Sequence, residues 1–112
     1  MSPENSQKLF DAFPRLYRGR GLPPSESSMC WGFDFGDGWF GLVWNLSQAI
    51  EEDARRNGID PQSDGWPEAV QVKNKFGELR FHLRHKTEAT WALREGACEA
   101  SRLICHDPNA PK

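Results

Sequence analysis

Residues 68–85 read EAVQVKNKFGELRFHLRH, two alternating runs that meet near a glycine. Apolar side chains at every second position mark a strand with one buried face, and Gly77 tolerates the positive φ of a tight turn. The stretch is therefore predicted to form a β-hairpin. Ala69 or Val70 to Val72 lead out, and Leu79, Phe81 and Leu83 return. With Val70, Val72, Leu79, Phe81 and Leu83 turned inward, strand geometry sends Gln71, Lys73, Arg80, His82 and Arg84 to the opposite face. Residues 71–86 carry five Lys/Arg against one Asp/Glu, whereas residues 1–70 carry six against eleven and residues 87–112 three against four. A net charge of −2 thus hides one cationic strip, a candidate docking surface for something acidic.

Two strands alone are marginal, so the sheet needs a third strand or a partner. Trp31, Phe33 and Phe35 alternate with Gly32, Asp34 and Gly36, which places a third extended segment at 30–35. The period then changes. Trp39, Phe40, Leu42, Val43, Leu46, Ala49 and Ile50 recur at helical spacing, with Glu51, Glu52, Arg55 and Arg56 opposite, up to Asn57–Gly58, which suits a left-handed C-terminal cap. In the stretch FDFGDGWF at 33–40, Asp37 is predicted to cap this helix while Gly36 and Gly38 let the chain turn. Thr87 is predicted to cap a last helix, whose Trp91, Ala92, Ala97, Ala100, Leu103 and Ile104 form its apolar stripe.

A short first helix over 5–13 carries Leu9, Phe10 and Phe13 behind an Asn5 or Ser6 cap, and Pro14 ends it. The chain is a single domain, 1–112, with an irregular Pro/Gly/Ser-rich loop at 14–28 and a flexible tail at 106–112. The fold class is α+β: a small antiparallel sheet of two or three strands, with two main helices and a short N-terminal helix packed on one face. Five Trp and seven Phe in 112 residues give it a small aromatic core.

No run of about 18 apolar residues is present to span a bilayer, and the N-terminus lacks the apolar stretch of a secretory signal. Three cysteines without framework spacing suit reduced thiols, so the expected location is the cytoplasm, with no membrane partner. No nucleophile elbow, P-loop, dinucleotide fingerprint, paired CxxC or HExxH occurs, and a non-enzymatic protein with no cofactor and no metal is expected. His82 and His85 would point to opposite faces of a strand, which disfavours joint ligation. Cys98, Cys105 and His106 can share a helix face as a thiol–imidazole cluster, or be buried small thiols.

Two segments, FGDGWFGLVWNL and VQVKNKFGELRFHL, resemble a family of small, mostly uncharacterised bacteriophage and prophage proteins. The resemblance spans about residues 14–105. It is carried by Gly36, Asp37, Gly38 and Trp39 and by Gln71, Val72, Lys73, Lys75, Phe76, Gly77, Leu79, Arg80 and Phe81. Members often place a cysteine before Gly-Asp-Gly and end in a Cys-x-x-Cys-Gly box. Here Phe35 and Pro108 stand at those places, so a zinc site there would lack ligands. The resemblance implies a bacterial host cell and an accessory protein that binds and inhibits host machinery such as a defence complex, in the manner of an anti-CRISPR protein.

The candidate partner-binding residues are Lys73, Lys75, Arg80, His82 and Arg84 on the hairpin, with Tyr17, Arg18 and Arg20 from the loop. Trp66, Trp31 or Tyr17 would anchor a host protein while Lys73, Arg80 and Arg84 steer it. The alternative is a nucleic-acid-binding module in which these cations, with Lys86 and Arg15, contact phosphates and Tyr17 or Phe76 stacks on a base. A pI near 5.9 favours the protein partner. The acids Glu51, Glu52, Asp53, Asp60 and Asp64 are too few to imitate a duplex. A homo-oligomer remains open, and so does the blander reading of an ordinary solvated face.

Overall fold

The computed structural model describes residues 1–21, 33–85 and 87–104. The hairpin is present, with β2 (Glu68–Lys75) antiparallel to β3 (Glu78–Arg84) and β1 (Phe33–Asp34) beside β2 in the order β1-β2-β3. Lys75 pairs with Glu78, which leaves Phe76 and Gly77 as a two-residue loop. Both have positive φ, 54° and 84°, the mark of a type I′ turn whose twist matches that of the strands it joins. Asn74 Oδ1 accepts from the Gly77 amide at 2.8 Å and holds the turn closed.

Val72, Leu79, Phe81 and Leu83 are buried as predicted, but Val70 is not. The pairing runs from Ala69↔Leu83 to Gln71↔His82 and so skips Val70. This bulge inserts one residue, turns Ala69 into the core and leaves Val70 half-buried. The third strand lies where alternation placed it, although it pairs parallel to β2, Phe33 against Val72, rather than antiparallel. A parallel neighbour needs a crossover, and α2 (Phe40–Arg56) supplies it.

The apolar face of the sheet is covered by α1 (Pro3–Ala12) and α2, and their contacts are mainly aromatic. Phe10 stacks on Phe33 with centroids 5.5 Å apart, and Phe13 meets Trp44 edge-on at 5.0 Å. The α1 cap is Ser2, not Asn5 or Ser6: its Oγ accepts from the Asn5 amide, and Pro3 fills the first helical position, where no N–H is needed. Asp37 does not cap α2. It lies in a 3₁₀ turn, Asp37–Trp39, and its Oδ1 accepts from the Ser2 amide at 2.7 Å, tying α1 to the start of α2. That bond, the largest influence on it, holds the exposed Asp37 carboxyl below its ordinary range.

At its other end α2 stops as expected. Gly58 has φ +72°, its N–H reaches Arg55 O at 3.0 Å, and Ile59 N–H reaches Ala54 O at 3.1 Å, which together form a Schellman motif. The segment expected to be wholly irregular contains a 3₁₀ turn at Arg18–Gly21; positions 22–28 and the tail 106–112 lie outside the described residues.

Helix α3 (Glu88–Ser101) carries the Thr87 cap, reinforced by a reciprocal Thr90 bond, but its buried face differs from the predicted stripe. Thr90, Ala97, Cys98 and Ser101 are buried, whereas Trp91 is 58% exposed, Leu103 82% and Ala92 exposed. The reason is the outer edge of β3, whose backbone needs polar partners. Ser101 Oγ accepts from Leu79 N–H at 2.8 Å, and Arg94 Nε donates to Phe81 O at 2.5 Å. Antiparallel to α2, α3 is fixed by Thr87 Oγ1 donating to Asp53 Oδ2 at 3.0 Å and Trp39 Nε1 donating to Ile104 O at 2.8 Å. Ser101→Ala removes the acceptor of a buried amide. It is expected to lower stability by about 1–3 kcal/mol, read from urea unfolding followed by circular dichroism.

Candidate docking face on the hairpin

Strand alternation places Lys73, Arg80, His82 and Arg84 on the sheet face turned away from the core, with Arg80, His82 and Arg84 exposed and Lys73 half-buried. Lys73 pairs directly with Arg80 across the strands, a like-charge juxtaposition that works against stability. Among the described side chains, two carboxylates moderate the strip. Glu78 is shared by Arg80, at 3.0 Å, and Arg102, at 2.8 Å; Glu68 is shared by Arg18, at 3.5 Å, and Arg84, at 3.7 Å. Each cluster therefore keeps one positive charge, and Lys73 and Lys75 add to them. The hydrogen bond from Arg102 holds the Glu78 carboxyl below its ordinary range, so the cluster stays ionised at neutral pH.

At the tip of this strip stands Phe76, 95% exposed. Its ring touches almost nothing, and its backbone occupies the left-handed region that a residue with a Cβ adopts at a cost of about 1–2 kcal/mol. Neither core burial nor turn geometry accounts for a phenylalanine there. Sequence marks Phe76 as a base-stacking candidate and a hairpin-motif residue, and the lysines that alternate before it, Lys73 and Lys75, are the signal of an exposed tip.

The loop residues part company with the hairpin. Tyr17 is 1% exposed, its hydroxyl hydrogen-bonded to Ser47 Oγ at 2.6 Å while Ser47 donates to Val43 O, and burial pushes the phenol well above its ordinary value. It cannot anchor a partner. Arg18 donates to the carbonyls of Arg15, Trp66 and Pro67, at 2.6, 2.6 and 3.1 Å, so it clasps the loop to the segment before β2 instead of facing a ligand. Trp66 is likewise buried, 1% exposed, donating from Nε1 to Glu51 Oε2 at 3.2 Å under the Arg55 guanidinium. The aromatic body of each residue went to the core and its polar tip found an internal partner. The side chains of Arg20, Trp31 and Lys86 lie outside the described residues.

Glu51, read from sequence as part of a solvated acidic face, is buried. Its position was legible, since residue 51 falls at the spacing of Val43, Ser47 and Ala54 on the inner face of α2. Burial raises its carboxyl pKa, opposed by the Trp66 hydrogen bond and by Arg55. Cys98 is buried with its thiol pushed up by desolvation and by the adjacent Glu78, which favours the neutral form; Cys30, Cys105 and His106 lie outside the described residues. His85 follows β3 with φ 62° and does not join His82 on the strand.

No protein-family model, curated protein or solved structure matches the chain. Among the described residues no helix is long and apolar enough to cross a membrane.

Two outcomes follow from the geometry. Phe76→Asn installs a preferred type I′ residue and removes no core contact, so it should raise stability by about 1 kcal/mol in urea unfolding. A raised native pKa means that Glu51 favours folding below its unfolded value, near 4.5, and that this contribution is lost as pH rises through the native value. Glu51→Gln should flatten the fall in stability that sets in above about pH 4.5, read from urea unfolding at a series of pH values.

Proposed function

We propose that the protein is a non-enzymatic binding module that docks an acidic surface of a host protein through the hairpin. Phe76 is the anchor in this reading, and Lys73, Lys75, Arg80, His82 and Arg84 provide orientation and rate. The observation that carries it is Phe76 itself, an aromatic ring fully in water, in a backbone conformation that disfavours it, directly after the β2 lysines Lys73 and Lys75. Interfaces concentrate their energy in such aromatic anchors, and surrounding cations accelerate encounter with an anionic partner. The shared glutamates refine the role of each cation. Arg80 and Arg84 are partly engaged by Glu78 and Glu68, and Lys73 and Lys75 add further positive charge.

In the bacteriophage setting that the Gly-Asp-Gly-Trp and hairpin motifs suggest, the bound protein is a component of a bacterial defence complex and binding inhibits it. A second reading draws on the same ring: Phe76 stacks on a base of single-stranded nucleic acid while the lysines meet phosphates. The separating experiment is affinity recovery from host lysate with wild type and a Lys73→Glu/Lys75→Glu/Phe76→Ala variant, together with oligonucleotide binding at several salt concentrations. Protein docking predicts one host protein recovered by wild type and reduced at least about tenfold in the variant. Equal recovery by both proteins would remove the hairpin from the interface. A steep fall of oligonucleotide affinity with salt would support the second reading instead.

A further inference from the structure

We infer that the groove between α2 and α3 receives the hairpin tip of a second copy of this chain. The groove has a volume of about 680 Å³, and Leu42, Leu46, Ala49, Leu93, Ala97 and Ala100 line it. Glu52, Asp53 and Arg56 stand along it. Two arginines of these helices point elsewhere: Arg55 to Glu51 and the Trp66 ring, Arg94 to the Phe81 carbonyl. Along the groove Glu52 is exposed and Asp53, half-buried, accepts from Thr87 and Asn57, with Arg56 beside them; Glu88, Glu95 and Glu99 are exposed elsewhere on α3.

An apolar floor edged by Glu52 and Asp53 is the complement of Phe76, which follows Lys73 and Lys75 at the end of β2. The chain's own turn does not fill it. The turn is held at the far end of α3 by the Glu78–Arg102 ion pair and the Leu79–Ser101 hydrogen bond, and a ring 95% exposed is not seated in its own groove. Knob and groove lie on different elements, so two copies pair reciprocally about a two-fold axis where geometry allows it, and otherwise the contact continues from copy to copy. This inference shares the hairpin with the docking function but stands on the groove. It adds a consequence for that function: self-association hides Phe76 from other partners.

Sedimentation velocity over a rising concentration series, at low and high salt, tests it with two single variants. Phe76→Ala removes the knob. Gly96→Arg fills the groove and adds a positive charge to it, and a side chain has room there, since nothing lies within 4 Å of a Cβ built on Gly96. Circular dichroism and thermal unfolding establish that both variants fold. Wild type should gain mass with concentration and lose it with salt. Each variant alone should associate at least about tenfold more weakly. An equimolar mixture should recover association but stop at a heterodimer, because each variant keeps one working half.

A monomeric wild type across the series, or a Gly96→Arg variant that associates like wild type, overturns the inference. Gly96→Arg leaves the hairpin intact and should still recover the host protein. Failure of the groove assignment is thereby distinguished from failure of the docking function.

Discussion

The exposed edge of a sheet carries unpaired amides and carbonyls, and in this protein side chains of α3 close the outer edge of β3 in place of another strand. Ser101 accepts from Leu79 and Arg94 donates to Phe81, two bonds seven residues apart on one helix face. This requirement decides much else. It turns Thr90, Cys98 and Ser101 inward and Trp91 outward, and it sets α3 antiparallel to α2 with the small residues Ala89, Gly96 and Ala100 along the gap between them. With one edge closed by side chains and the core face covered by helices, the polar face is left for charge.

The charges on that face are organised by sharing. Glu68 and Glu78 each serve two arginines, so each cluster is held in place yet keeps a residual positive charge. The partly exposed Glu78 pairs contribute little to stability, whereas Glu68 is buried beside its arginines. Their larger effect is positional, since Glu78 links β3 to the end of α3 through Arg102 and Glu68 links β2 to the loop through Arg18. The strip is therefore rigid as well as cationic, and the Asn74–Gly77 bond extends that rigidity to the turn that carries Phe76.

Periodicity made the hairpin, the third strand and the crossover helix legible, because alternation at period 2 and spacing at 3.6 reflect burial directly. The misreadings share one physical cause. Tyr17, Arg18, Trp66 and Glu51 were assigned to solvent or to a partner by residue type, whereas each found a partner inside the chain 15 to 49 residues away. No local pattern encodes such pairings. The α3 face failed for a related reason: hydrophobicity marked Trp91 and Leu103, but the edge of β3 required a hydroxyl and a guanidinium. Val70 yielded its core place to Ala69 because a bulge changes the count of residues, which alternation alone cannot register.

The Arg18 clasp also bears on the order of assembly. It joins carbonyls 48 and 49 residues along the chain, while the two-residue turn closes the hairpin locally. Loop-closure entropy favours near contacts over distant ones, so the ribbon is expected to form before the guanidinium reaches Trp66 and Pro67. Sealing the indole and the Glu51 carboxylate away from water is then a late event, and a newly made chain presents its cationic ribbon before its aromatic interior is closed.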